Sequence, residues 1–202
     1  MNVLNLFPTP IGFFRLGREL TKKELAFVLG QDTYNNQGNT TSLDKKILNT
    51  PELADIKSFV EDAMQEYFDT VYAVGNKNSL YLTQSWANYT GKNQYHHKHA
   101  HPNSIVSGCF YPKADRAVDK IVFFKDVYDR IKLVPSEWNA WNSESWWYEV
   151  GSGDLILFPS NLTHMVETKN EDSIRVSISF NTFVKGVIGS EDHLTSLELG
   201  EI

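Results

Sequence analysis

The chain is poor in cysteine: Cys109 is its only one. One thiol excludes an internal disulfide and any cysteine-rich zinc site, and it suits a reducing compartment. Long apolar runs are also missing, so no segment reads as a membrane span. Basic residues are outnumbered, 19 against 25 acidic, and the net charge of -6 argues against a nucleic-acid-binding surface. The opening Met1-Asn2-Val3-Leu4-Asn5-Leu6-Phe7 lacks the basic region and small-residue cleavage site of a secretory signal, so the expected location is the cytoplasm. Without such a signal, the acceptor pattern Asn88-Tyr89-Thr90 carries no weight as a glycosylation site. Internal repeats and low-complexity linkers are absent as well.

What is there fits a folded domain. At 202 residues, with 41% hydrophobic and 13% aromatic residues, the chain can bury a substantial core as a single domain, 1–202. It divides into a mixed, helical part over 1–78, a β-rich core over 79–184, and an acidic tail over 185–202. Val3 to Phe7 and Ile11 to Leu16 read as short extended segments separated by Pro8 and Pro10. Thr21-Lys22-Lys23-Glu24 has capping-box spacing and Gly30 supplies a stop, which predicts a short helix. Asp32 to Ser42, rich in Asn, Gly and Thr, reads as a loop. Thr50-Pro51 marks a second helix start. Leu53, Ile56, Val60, Met64, Tyr67, Phe68 and Val71 then recur at helical spacing, as a stripe that packs on a sheet.

From residue 79 the pattern is β. Ser79 to Tyr89, Ser104 to Tyr111, Lys120 to Phe124, Arg130 to Val134, Ser145 to Val150, Asp154 to Phe158 and Ser173 to Val184 are rich in branched and aromatic residues and broken by Gly, Pro, Asn and Asp. Strands after helices predict a mainly β fold of the α+β type. The expected architecture is a double-sheet jelly roll with the N-terminal helices packed outside it.

The densest chemistry is in Tyr95-His96-His97-Lys98-His99-Ala100-His101, which holds four of the six histidines. Neutral imidazole is a common metal ligand. Side chains at i and i+2 of a strand share a face, so His99 and His101 can reach one ion, and His97 and His99 can do the same. A third ligand from a distant strand would close such a site, and His164 follows the strand Leu155 to Phe158. Eleven residues further on, Arg175, Ser177 and Ser179 alternate with Val176, Ile178 and Phe180. The polar set faces either water or a cavity between sheets. An O₂-activating Fe(II) site needs three protein ligands that leave open positions for a chelating co-substrate and O₂. A dicarboxylic co-substrate also needs a cation for its distal carboxylate. Arg175 supplies one, and Ser177 can donate beside it.

These residues carry a resemblance. Tyr95-His96-His97-Lys98-His99-Ala100-His101-Pro102-Asn103-Ser104 with Ser107-Gly108-Cys109-Phe110-Tyr111 resembles the first metal motif of a subfamily of 2-oxoglutarate/Fe(II)-dependent oxygenases. Gly153 to Ser160, then His164, then Arg175 to Asn181 resemble its second half. Ser85-Trp86-Ala87-Asn88 and Leu6 to Ile11 are similar to it too. The subfamily is frequent in bacterial and phage genomes, and for a phage protein the expected cytoplasm is the host's. The resemblance implies a double-stranded β-helix (jelly roll) with Fe(II) on His99, His101 and His164. It implies 2-oxoglutarate on Arg175 and Ser177, with Asn88 and Tyr111 as further contacts. His97 stays open as an alternative ligand. The implied activity couples decarboxylation of 2-oxoglutarate to succinate with hydroxylation of a substrate the sequence does not name. One departure stands out: His101 occupies the position where the wider superfamily has a carboxylate.

Two other readings compete. One is a cupin-like three-histidine metal enzyme that does not use 2-oxoglutarate. The other is a non-catalytic β-sandwich with a binding or structural role. Trp138, Trp141, Trp146 and Trp147 read as a satellite hydrophobic cluster under a long loop, with an aromatic lid as the alternative. Cys109 reads as apolar packing. Asp115, Asp119, Asp126 and Asp129 read as charged loop faces, and His193 as an exposed residue of the tail. His96 and His97 read as neighbours of the ligands or as surface.

Overall fold

The structure is a computed structural model and describes residues 1–125, 131 and 133–201. Its elements run β1 (Gly12–Arg15), α1 (Lys22–Leu29), β2 (Thr33–Asn35), β3 (Thr40–Ser42), α2 (Ala54–Val71), β4 (Asn78–Thr90), β5 (His96–His99) and β6 (Val106–Lys113). They continue with β7 (Lys120–Phe124), β8 (Ser145–Glu149), β9 (Asp154–Pro159), β10 (His164–Val166), β11 (Arg175–Ile188) and β12 (Leu197–Glu198). The larger sheet has the order β1-β9-β6-β11-β4-β3-β2, with β12 paired on β11. The smaller sheet has the order β5-β10-β7-β8. The expected jelly roll is present, with the helices on its outside.

Strand alternation creates two cores. Ala87 and Tyr89 of β4, Phe110 of β6, Leu155 and Leu157 of β9, and Val176, Ile178 and Phe180 of β11 face outward. They pack with Ile56, Val60, Ala63, Met64 and Tyr67 of α2. The alternate residues Cys109, Tyr111, Ile156 and Phe158 face inward and meet Ile121 and Phe123 of the smaller sheet. A buried aliphatic side chain contributes about 1.5–3 kcal/mol, so the α2 stripe anchors the helix firmly. Close packing leaves no room at Gly108: a Cβ there would stand 2.1 Å from Cζ of Phe180.

The α1 start is a complete capping box. Thr21 Oγ1 accepts from the Glu24 backbone N–H at 3.2 Å, and the Thr21 backbone N–H donates to Glu24 Oε2 at 2.7 Å. Arg18 adds two further donors to the same carboxylate. Those hydrogen bonds, Arg18 first, hold the Glu24 carboxyl down to about 2. A lowered carboxyl stabilises the fold fully above its ordinary value of 4.5, and that contribution is lost as pH falls through about 2. Glu24→Gln should therefore cost about 1–3 kcal/mol at neutral pH. Thermal melts should show the gap between variant and wild type shrinking below the ordinary carboxyl range. A gap that stays constant down to strong acid would contradict this assignment.

Several expectations need correction. Val3 to Phe7 forms no strand: Pro8 cannot donate to a ladder, Phe7 has φ 57, and Leu4, Leu6 and Phe7 are exposed. Asp32 to Ser42 is a hairpin, not a loop. Thr33 pairs with Ser42 and Asn35 with Thr40, so the polar composition belongs to the turn while β-branched Thr populates the strands. The expected strand Arg130 to Val134 falls on positions that include 130 and 132, outside the described residues, as do Asp126 and Asp129. Asp119 is no exposed loop face. It is buried and accepts from the buried Lys169 at 2.9 Å.

The tryptophans are no buried satellite cluster either. Trp138 and Trp141 are 64% and 61% exposed. With Trp146, Trp147 and Val122 they line an open groove of about 1000 Å³. Val122 alternates with Ile121 and Phe123, which face the inner core. The groove therefore lies on the outer face of the smaller sheet, away from the histidines. The tail starts as strand, because β11 runs to Ile188 before β12 pairs back onto it.

Candidate metal centre

β5 and β10 are neighbours, and their register sets His99 directly opposite His164. His101 lies just past β5, and its backbone N–H donates to Ser160 O at 2.9 Å. A run of hydroxyls secures that loop. Ser160 Oγ lies 2.7 Å from Ser104 Oγ and 2.8 Å from Ser107 Oγ, and Ser107 donates to Asn181 Oδ1 at 2.8 Å. Thus Ser104, Ser107, Ser160 and Asn181 bind the turn after His101 to three strands of the larger sheet. In the sequence these positions lie within the motif stretches, and nothing there marks them for this task.

The three histidines converge. One nitrogen from each of His99, His101 and His164 lies within 4.8 Å of the others. This is the one such group among the described residues. Ring centroids are 4.4 Å apart for His99 and His164 and 4.8 Å apart for His99 and His101. Two tautomers are set by the backbone. His99 Nδ1 donates to His97 O at 2.7 Å and His164 Nδ1 donates to Leu162 O at 2.9 Å. Each Nε2 therefore keeps a free lone pair. Burial, followed by repulsion between the protonated form and the neighbouring rings, holds His164 down to about 3 and His101 to about 4, and burial lowers His99 as well. At neutral pH all three are neutral bases. His97 stands outside the group. Its Nδ1 is buried without a partner and its carbonyl orients His99.

The cavity beside the histidines receives the inward residues of the larger sheet. Trp86 and Asn88 of β4, Cys109 and Tyr111 of β6, and Arg175, Ser177 and Ser179 of β11 all line it. The polar face of β11 thus lines a cavity between the sheets and does not face water. Arg175 is 4% exposed. Its Nη2 donates to Thr90 Oγ1 at 3.2 Å, and its Nη1 reaches Lys120 O at only 3.5 Å. Its Nε is buried and has no partner. A buried guanidinium with an unused N–H calls for an anion. Asn88 is held by protein groups: it accepts from Thr41 Oγ1 at 3.0 Å and donates to Ser179 Oγ at 3.1 Å. Burial pushes the Tyr111 phenol up, so it stays a neutral donor.

The residues fit an Fe(II)–dicarboxylate pair. Three neutral nitrogens gather on one side, and an unsatisfied cation lies in the same cavity. Asn39 and His96 also line that cavity; in the sequence Asn39 reads as part of a loop, and His96 as a neighbour of the ligands or as surface. Asn39 sat in a stretch read as loop, so nothing in the sequence pointed to it. His96 was one histidine too many in a run with several possible registers.

Comparison with known proteins agrees. A family model described as "Putative 2OG-Fe(II) oxygenase" matches residues 84–181. No curated protein matches. Among solved structures, HygX from Streptomyces hygroscopicus, with nickel, 2-oxoglutarate and hygromycin B bound, superposes with a TM-score of 0.58 at 13% identity. That match covers 86% of this chain and 82% of the other. A Pseudomonas putida prolyl-4-hydroxylase gives 0.52 at 12% identity, over 86% and 92%. An oxidoreductase of the 2OG-Fe(II) oxygenase family from Burkholderia pseudomallei gives 0.55 at 12%, over 78% and 74%. Identities this low show a shared fold alone. Residues 84–181, which contain His99, His101, His164 and Arg175, match the model of the 2OG-Fe(II) oxygenase family.

Proposed function

We propose that the protein is an Fe(II)- and 2-oxoglutarate-dependent dioxygenase, with His99, His101 and His164 as its metal ligands and Arg175 and Ser177 as its distal-carboxylate site. The observation that carries this reading is the buried, unpartnered Nε of Arg175 in the cavity of the three-histidine group. When bound, the iron with 2-oxoglutarate supplies O₂ activation coupled to decarboxylation, which releases succinate and CO₂.

The protein's own part is placement. The backbone carbonyls of His97 and Leu162 hold two imidazoles in the ligating tautomer. Phe158 and Phe123, with ring centroids 4.7 and 6.2 Å from that of His164, restrict water on one flank. Trp86 covers His101 on another, at 6.1 Å. Three neutral ligands would leave the divalent charge uncompensated by the protein, and Arg175 adds a further positive charge to the cavity, so the site favours a dianion such as 2-oxoglutarate. Asn88 holds Ser179 in line with Ser177 and Arg175. No helix among the described residues is long and apolar enough to cross a membrane. A reducing cytoplasm suits both Fe(II) and the buried Cys109 thiol. A cupin-like enzyme without 2-oxoglutarate would leave Arg175 without an anion.

The test is anaerobic addition of Fe(II) and then 2-oxoglutarate to the purified protein. A visible metal-to-ligand charge-transfer band should appear only when both are present. Folded, iron-loaded protein that shows no band would overturn the proposal.

A further inference from the structure

His96 is the cavity residue that the proposed site leaves without work. Its ring lies 4.7 Å from that of His99, yet it stands outside the three-nitrogen group. Asn39, at the end of the β2–β3 turn, approaches it. Asn39 Nδ2 is 3.0 Å from His96 Nδ1 and 3.5 Å from Thr90 Oγ1. Thr90 Oγ1 in turn accepts from Arg175 Nη2. A continuous chain of polar contacts therefore runs from His96 through Asn39 and Thr90 to Arg175. Its two ends, His96 and Arg175, both line the cavity.

The direction of that chain sets the His96 tautomer. Asn39 turns its amide nitrogen toward the ring; in this orientation the nitrogen donates, His96 Nδ1 accepts and the ring proton sits on Nε2, while Asn39 Oδ1 is buried without a partner. His96 is then a fixed neutral donor, and among the described residues no protein group accepts from its Nε2. A protonated Nε2 has no lone pair for a metal, which separates His96 from His99 and His164. Two unused donors, His96 Nε2–H and Arg175 Nε–H, thus face one cavity. Guanidinium supplies the charge for an anion, and a neutral donor beside it fixes the anion's orientation without adding charge.

Resting on the 2-oxoglutarate reading above, we propose that His96, oriented by Asn39, is a further donor, beside Arg175 and Ser177, to the distal carboxylate of 2-oxoglutarate. His96 therefore belongs to co-substrate recognition and not to the metal or the surface. Asn39 acts through it, as a positioning residue.

The test uses binding without turnover. Iron-loaded protein is titrated anaerobically with 2-oxoglutarate and with 2-oxopentanoate, which has the same chain length and no distal carboxylate. Binding is read from the visible charge-transfer band. His96→Phe should weaken 2-oxoglutarate by about ten- to a hundredfold, the effect of losing a hydrogen bond to a charged group. It should leave 2-oxopentanoate affinity and iron stoichiometry unchanged. His96→Gln, whose amide can donate, should recover part of the loss. Asn39→Ala keeps the imidazole but frees its tautomer, and should weaken 2-oxoglutarate several-fold with the same discrimination between ligands. Equal weakening of both ligands, loss of iron, or unchanged 2-oxoglutarate affinity would overturn the role of His96. Failure of the wild-type protein to bind either keto acid would instead overturn the functional reading on which it rests.

Discussion

Arg175→Met should lose 2-oxoglutarate binding and gain stability in its absence. In the ligand-free protein the guanidinium is buried, no ion pair among the described residues includes it, and its Nε has no partner. Burying a charge without a counter-ion is expensive. Replacing a buried charged group with an apolar side chain of similar volume is often neutral or stabilising by about 1–4 kcal/mol. Methionine keeps most of the packing volume and removes the charge. The ligand-free variant should therefore melt at or above the wild-type temperature. With 2-oxoglutarate the order reverses. Truncating one partner of a buried, hydrogen-bonded charge pair costs roughly 2–5 kcal/mol, which corresponds to about thirtyfold to several thousandfold in affinity. Saturating 2-oxoglutarate should raise the melting temperature of iron-loaded wild type and leave that of the variant nearly unmoved. Iron affinity should change little, because Arg175 lies outside the three-histidine group. Wild-type 2-oxoglutarate affinity in the variant would sink the assignment. A large drop in ligand-free stability would show that the residue serves the fold.

The same residue shows how far the sequence reaches. The alternation Arg175-Val176-Ser177-Ile178-Ser179-Phe180 separates two faces at sight, and a strand in a sandwich has only a core side and a far side. What alternation cannot say is whether the far side is solvent or a second sheet. That depends on where β5, β10, β7 and β8 close over it. The strand β10, three residues long, was too short to announce itself, although it carries His164. The long α2 stripe was legible because eighteen residues give periodicity room to repeat. Asn39 was not, because a polar turn residue looks alike whether it faces water or a cavity. The tryptophans misled for the opposite reason. Aromatic density reads as core, yet the outer face of the smaller sheet leaves these side chains open along a groove.

His164→Ala should remove metal binding, whereas His97→Ala should retain it. His164 is 7% exposed and its ring is wedged between Phe158 and His99, so its Nε2 has a single direction to point. A partner that merely orients a ligand is worth 10–100-fold in metal affinity, and loss of the ligand itself should exceed that. His97 is the instructive control. It contributes its backbone carbonyl to His99 Nδ1, and alanine keeps that carbonyl, so the ligating tautomer survives the substitution. The alanine at 164 also opens a space beside Phe123 and Phe158, which would confuse a fold defect with a metal defect. His164→Gln fills the space, keeps the side chain polar and still lacks the imidazole, so it should fold and bind metal weakly. Calorimetric titration of metal-free protein with Ni(II) reads all three variants without turnover. Tight binding in His164→Gln would remove His164 from the ligand set, and its loss in His97→Ala with the fold intact would move the metal to the other register of the first motif.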